Sequence, residues 1–353
     1  MRLAVDCRLV GESGIGTYIS GLIPHFLGRH DCLLLGAEER CRAYAQSARA
    51  EFVPCAVRPF SLAETLFFPG GAARRINGCD AFFTPYCNIP SGIKVPVFST
   101  IHDVVFLDVP GLTGAAGKAV RKCFYRRAVA RSRSIFTVSE FSKSRIRANL
   151  ACRKNIVVTH SATPEHLRQK VVGAERTNTI LFVGNIKRHK GLSVLLEAYK
   201  KARAAGFGKR LVIVGNAERF RTGDGEAVET LRRMPEDAVL FTGKISDDEL
   251  RRYYAEADFL VQPSLYEGFG LPPQEALFQG TPSLISDIPV FREVYAGFPV
   301  TFFAAGDADD LARKMLSMRA GRLEIGRNAE TYTFKKTAGL ILSEIEAQCA
   351  KGG

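Results

Sequence analysis

The sequence predicts an α/β protein built from two doubly wound, Rossmann-like domains with parallel sheets. Three observations predict it. At 353 residues the chain exceeds one ordinary compact core and suits two domains of about 100–200 residues each. Short β-rich runs alternate with helical patterns, which is the arrangement of βα units. The series also restarts past a polar stretch near the middle of the chain.

In the first series the strand candidates are residues 2–6 (RLAVD), 32–36 (CLLLG), 81–85 (AFFTP), 95–101 (VPVFSTI), 134–139 (SIFTVS) and 156–160 (IVVTH). Residues 163–178 (TPEHLRQKVVGAERTN) are polar and read as the connection between the domains. The second series runs through 179–184 (TILFVG), 210–215 (RLVIVG), 238–243 (AVLFTG), 258–263 (DFLVQP), 282–286 (PSLIS) and 299–303 (PVTFF). Amphipathic helices at 191–206, 246–257 and 307–319 lie between these strands. No short-period repeat or low-complexity segment interrupts the pattern.

The composition, 46% hydrophobic and 24% charged, is that of a soluble globular protein. No apolar run approaches the roughly 18 residues of a membrane-spanning helix. The start, MRLAVDCRLV, reads as a strand and not a signal peptide, so a cytoplasmic protein is expected. Nine cysteines without a CxxC pair or a Cys/His cluster imply reduced, mostly packing thiols and no zinc site. The net charge of +13 is uneven. Residues 1–170 hold 24 Lys/Arg against 12 Asp/Glu, and residues 171–353 hold 25 against 24. The basic residues are densest at 117–134 and 142–154, a face suited to nucleic acid, anionic lipid or an anionic substrate, or simply to water.

Ligands of doubly wound sheets bind at the carboxyl ends of the strands, so the loops there are the places to search. Four stand out. In GESGIGTY (11–18), Gly14 and Gly16 allow close approach of an anion to a helix start, or serve a tight turn; the spacing is not that of a dinucleotide fingerprint. In STIHDVVF (99–106), His102 and Asp103 follow an apolar strand, and an imidazole there can donate to or accept from a sugar hydroxyl. In FVGNIKRHKG (182–191), Lys187, Arg188 and Lys190 gather at a helix N-terminus, where cations are disfavoured unless an anion such as a diphosphate joins them. In LYEGFGLPPQEAL (265–277), glycines leave the amides of Phe269, Gly270 and Leu271 to face a ligand, and two prolines start a helix that carries Glu275. Glu275 can accept two vicinal hydroxyls, as in a ribose, or serve the helix dipole.

The run YEGFGLPPQEALFQGTPSLIS (266–286), with VGNIKRHKG upstream, IHD in the first half and the early glycine loop, resembles glycosyltransferase family 4, retaining enzymes of the GT-B fold. SGIGTYI, STIHDVVF and VSEFSKSRI are similar to the branch of mannosyl- and rhamnosyltransferases that build bacterial O-antigen and other polysaccharides. The resemblance covers nearly the whole chain, and its E-x7-E segment is the specific part. It implies a sugar nucleotide in a cleft between two domains: residues 1–168, basic and acceptor-binding; 169–332, donor-binding; and a tail, 333–353, whose helix crosses back to the first. It further implies that Glu275 binds the donor ribose and Lys190 the diphosphate, with Glu267 near the donor sugar. The hydroxyls of that sugar would meet the amides of Phe269, Gly270 and Leu271. His102 would lie near the C6 hydroxyl and Gly14 near the β-phosphate, while Lys244 and Ile245 would face the base. Two departures stand against the pattern. Asn185 replaces an Arg common in relatives, a charge Arg188 would supply, and HSATPE (160–165) lacks an Asn-Gly turn.

These parts imply a metal-independent, retaining hexosyl transfer with no cofactor, in which Lys190, Arg188 and helix amides hold the leaving phosphate. DAD at 307–309 matches a metal-binding D-x-D but opens a helix, where acids cap. The expected donor is a GDP-linked mannose or deoxymannose, and the acceptor a lipid-linked or free saccharide. An anionic membrane surface would be met through Arg121, Lys122, Arg126, Arg127 and Arg131, with Phe124 and Tyr125 dipping into the headgroups. A nucleic-acid-binding protein, which would explain the charge but not the cationic loop or the E-x7-E segment, and a sugar-nucleotide epimerase of similar two-domain fold, which would release free altered sugar, are the rival readings.

Overall fold

A computed structural model describes residues 1–12, 14–44, 46–215, 225–235 and 237–351. Among these residues the first sheet holds β1 (Arg2–Asp6), β2 (Asp31–Gly36), β3 (Ala50–Pro54), β4 (Ala81–Thr84), β5 (Val97–Thr100), β6 (Ser132–Thr137) and β7 (Ile156–Val158), in the order β3-β2-β1-β4-β5-β6-β7. The second holds β8 (Thr179–Val183), β9 (Arg210–Val214), β10 (Val239–Gly243), β11 (Phe259–Gln262), β12 (Ser283–Ser286) and β13 (Val300–Phe303), ordered β10-β9-β8-β11-β12-β13. Every recorded pairing is parallel. Helices cover such sheets on both faces, so central strands are buried throughout, as in β4 and β11. The strand absent from the sequence reading is β3. It lies at the sheet edge with only Val53 fully buried, so it carries no apolar run to reveal it.

The chain divides into two compact units. One comprises Met1–Asp108, Gly114–Ala162 and Tyr332–Gly353; the other comprises Val109–Thr113 and Thr163–Thr331. Residues 163–168, assigned from sequence to the first domain, pack in the second unit. There Thr163 Oγ1 donates to Gln274 Oε1 at 2.9 Å and Gln279 Nε2 donates to the Leu167 carbonyl at 2.7 Å. In the first unit the closing helix Phe334–Ala350 lies against the helix Gly14–Leu27, where Phe334 meets Tyr18 edge-on at 6.4 Å. Glu344 of that closing helix accepts from Ser134 Oγ at 2.5 Å.

Each sheet reverses its strand order once, between β1 and β4 in the first unit and between β8 and β11 in the second. Loops leaving two such neighbouring strands run in opposite directions and open a crevice for ligands.

The basic helix Ala115–Arg131 corrects one expectation. Tyr125 is buried in the core beside Ala128 and is not available to a membrane. Several of its cations are also engaged. Arg127 donates to the Ile89 carbonyl at 3.2 Å, Arg131 to that of Ile93 at 2.5 Å, and Arg121 covers the Phe106 ring at 4.2 Å. No helix among the described residues is long and apolar enough to cross a membrane.

Candidate active site

In the second unit the loops after β8 and β11 leave either side of the switch point and are tied together by the backbone. The His189 carbonyl accepts from the amides of Leu265, at 2.8 Å, and Tyr266, at 3.3 Å. Gly191, in the left-handed conformation at φ +68°, starts the helix Leu192–Ala204 against β11's exit, where any β-carbon would collide with the Pro263 carbonyl oxygen. His189 is buried, and burial pushes its pKa down to about 4, with Lys190 adding to the effect.

This clamp brings Lys190 to Glu267. The Lys190 ammonium donates to both carboxylate oxygens, at 2.6 and 2.8 Å, and Glu267 is nearly buried. Ser264 Oγ donates to Glu267 Oε1 at 2.8 Å and accepts from Gln262 Nε2 at 2.9 Å. Further along the loop Phe269 is buried. The amides of Gly270 and Leu271 donate to no acceptor among the described residues, while the Gly270 carbonyl is held by the Tyr295 hydroxyl.

The helix Pro272–Phe278 then presents Glu275, itself buried. The Tyr254 hydroxyl donates to Glu275 Oε2 at 2.5 Å, and Oε1 takes no hydrogen bond among the described residues. Burial lifts the Glu275 pKa to about 7, against the smaller opposing effect of Tyr254 and with a further push from Asp247. A carboxyl desolvated in this way gains from any hydroxyl that donates to it.

Arg188 and Asn185 are exposed beside this loop, as is Lys244 after β10, whereas Ile245 packs half-buried beneath it. At the other candidate site, Asp307 accepts from the amides of Asp309 and Asp310 at 2.9 Å each and caps the helix Ala308–Ser317. Lys201 pairs with Asp309.

In the first unit, Gly14 is exposed with open space around it, and Ser13 beside it lies outside the described residues. Gly16 is buried. A side chain there would strike the Leu9 carbonyl, so its need is helix-to-loop packing. His102 lies edge-on to Tyr18 at 4.8 Å, and its Nε2 is 2.9 Å from the Pro85 carbonyl. A carbonyl only accepts, so Nε2 carries the proton and Nδ1 is left as an acceptor, with no partner among the described residues. Burial pushes the His102 pKa down to about 4. Asp103 accepts from the Val105 amide at 3.0 Å and so caps the next turn.

Ser264, Gln262, Tyr254 and Tyr295 support this site and were not singled out in the sequence. Ser264, three residues before Glu267, carried a local signal; Tyr254, on another helix, carried none.

Residues 164–332 match the family model for glycosyl transferases group 1. The chain is 31% identical over 201 residues to the O-antigen chain mannosyltransferase RfbU of Salmonella typhimurium, covering 55% of this chain and 53% of that protein. It thus spans about half, or less, of the length of the curated relatives it matches. Among solved structures, sucrose-phosphate synthase from Thermosynechococcus elongatus superposes with a TM-score of 0.74 at 16% identity, covering 100% of both chains. HepE of Anabaena, solved in complex with UDP-glucose, gives a TM-score of 0.67 at 16% identity over 100% of this chain and 99% of that one. These likenesses show the two-unit GT-B fold. Over residues 164–332 the chain is thus similar to the group 1 glycosyl transferases, in keeping with the family 4 resemblance of its motifs.

Proposed function

We propose that the protein is a retaining, metal-independent glycosyltransferase that moves a hexose from a nucleotide sugar to a saccharide or lipid-linked acceptor in bacterial polysaccharide or lipopolysaccharide synthesis. The observation that carries the reading is the Lys190–Glu267 ion pair, with the amides of Gly270 and Leu271 in the same loop and Glu275 Oε1 on the helix that follows, none of which has a hydrogen-bond partner among the described residues. A cation, two amides and a carboxylate with a spare oxygen match a diphosphate, a sugar and a ribose. Mannose or a deoxymannose, GDP-linked, is the preferred donor, because the motifs resemble that branch and RfbU bears the name of a mannosyltransferase. HepE's complex with UDP-glucose makes uridine the first alternative base.

In the proposed reaction the bond from the anomeric carbon to the β-phosphate oxygen breaks, and the acceptor oxygen bonds to that carbon on the same face. The hydroxyl proton passes to the departing phosphate oxygen, leaving a nucleoside diphosphate. Charge develops on that phosphate, and Lys190, helped by Arg188, would stabilise it, each such donor contributing on the order of 3 kcal/mol. Glu267 orients Lys190 and the donor sugar and forms no covalent bond. Glu275 would take the ribose hydroxyls, and Lys244 and Ile245 would border the base. In the first unit, His102 Nδ1 would accept from a sugar hydroxyl and Gly14 would approach phosphate. The protein would act at the cytoplasmic face of the membrane.

Thermal denaturation with GDP, UDP, ADP and their sugars, with and without EDTA, tests this. A bound ligand at 100 times its dissociation constant stabilises by about 2.7 kcal/mol. Stabilisation by one nucleotide series, and transfer that survives EDTA, is the expected result. Release of free altered sugar, or activity restored only by a divalent cation, would overturn the reading.

A further inference from the structure

The geometry points to residues 60–67 as a membrane-docking surface that inserts into an anionic bilayer. Four of the large hydrophobic side chains exposed among the described residues stand within these eight positions: Phe60 (49% exposed), Leu62 (68%), Leu66 (61%) and Phe67 (78%). So dense an apolar cluster is unusual on a surface that faces only water.

The short helix Leu62–Leu66 is inverted relative to a water-facing helix, with its carboxylate inside and its leucines outside. Glu64 is fully buried. It is ion-paired to Arg8 and accepts from Tyr86 Oη at 2.6 Å, Asn88 Nδ2 at 2.5 Å and the Phe60 amide at 3.0 Å. Arg8 in turn is paired with Asp6 at 2.6 Å. Breaking a buried pair of this kind is costly, so the helix is locked with its apolar side outward. Phe60 is held at φ +62°, a conformation unfavourable for a bulky side chain, with its ring 4.8 Å from that of Tyr86. The apolar residues are therefore displayed by a rigid internal frame.

Charge identifies the occupant. The segment 88–93 joins this helix to the basic one. Ser91 donates its amide to the Glu64 carbonyl at 3.0 Å, while Arg127 and Arg131 of the helix Ala115–Arg131 donate to the carbonyls of Ile89 and Ile93. The apolar cluster thus neighbours a helix bearing six Lys/Arg and no acidic residue. An apolar edge flanked by cations matches the acyl boundary and phosphates of an anionic leaflet. This role rests on the proposed reading in one respect, that a transferase using a lipid-linked acceptor works at a bilayer.

The chain contains no tryptophan, so Phe67→Trp installs a single reporter. The full chain is sedimented with phosphatidylglycerol and with phosphatidylcholine vesicles at low and high salt. Pelleting on the anionic vesicles at low salt is expected, falling about tenfold or more in a Leu66→Ser/Phe67→Ser double variant and unchanged in Val172→Ser. The Phe67→Trp emission should shift to the blue on those vesicles. Wild type remaining in the supernatant, a double variant that pellets like wild type, or an unshifted tryptophan on pelleted protein would each overturn the surface. So would a blue shift without vesicles that rises with protein concentration alongside a doubled mass in light scattering, which would assign the surface to a second copy of the chain. Nucleotide-dependent thermal stabilisation of the same samples reads the donor site alone. If it persists while vesicle binding is absent, the docking surface fails and the transfer reading stands; the reverse pattern sinks the transfer reading only.

Discussion

The Lys190 ammonium lies 2.6 and 2.8 Å from the two oxygens of the Glu267 carboxylate, across 77 positions of sequence. A cation held in this way is pre-positioned, so an arriving phosphate needs no reorganisation of the lysine stem, only a share of its three protons. Glu267 also keeps Lys190 from being an uncompensated charge when no anion is bound.

Lys190→Ala should therefore lower kcat by about a hundredfold or more at saturating donor while leaving the fold intact. The side-chain bonds recorded for Lys190 all go to Glu267, which retains the Ser264 hydroxyl in the variant. Steady-state transfer and a thermal melt check both halves. Near-normal turnover would sink the phosphate role.

Glu275 sets stability against binding. Its folded pKa of about 7 lies above the ordinary carboxyl value of 4.5, so the folded state holds a proton that the unfolded state has lost between those values. Stability from this group is intact below about pH 4.5 and is lost as pH rises towards 7, by about 3 kcal/mol. Glu275→Gln should then melt higher than wild type at pH 8, with little difference near pH 4.5, and bind nucleotide more weakly. A variant that melts lower at pH 8 would contradict the buried-carboxyl account.

The same group predicts a pH dependence of donor binding. A hydroxyl donating to Glu275 favours the carboxylate, so affinity for a nucleotide sugar, whose diphosphate does not titrate in this window, should rise as pH passes through about 7 and level off above it. Binding should release protons, seen by calorimetry in two buffers of different ionisation enthalpy. His102, with its pKa near 4, stays neutral throughout and adds no second step between pH 6 and 8. Affinity flat across that range would remove Glu275 from the ribose.

What could be read from the sequence follows the range of the forces involved. Strands such as β4 and β11 announce themselves because parallel sheets bury both faces, and Lys190, Glu267 and Glu275 stand out as charges at strand exits. Their partners do not. The pairing of Lys190 with Glu267, and of Glu275 with Tyr254, depends on which loops and helices the sheet order makes neighbours. Tyr125 misled for a related reason. Six cations along its helix concealed that Tyr125 and Ala128, three residues apart and so on one helical face, turn inward. Gly16 reads from sequence as an anion contact or a tight-turn residue, and the close approach of the Leu9 carbonyl that excludes a side chain there is visible only in the fold.

Ser264 offers the last test, because it touches Glu267 and not Lys190. Fully buried, it donates to Glu267 Oε1 at 2.8 Å, accepts from Gln262 at 2.9 Å, and has its carbonyl held by Ser286. Among the described residues, removing the hydroxyl leaves Glu267 with the Lys190 bonds alone and free to rotate with that lysine. A lost hydrogen bond to a charged group corresponds to about 1.5 kcal/mol, or about tenfold. Ser264→Ala should thus lower kcat about tenfold with the donor KM little changed, since orientation of the leaving phosphate suffers more than ground-state binding. Ser264→Thr, which keeps the hydroxyl, should recover most of the loss. A rise in KM at constant kcat, or a threonine variant no better than alanine, would show that Ser264 only packs the loop.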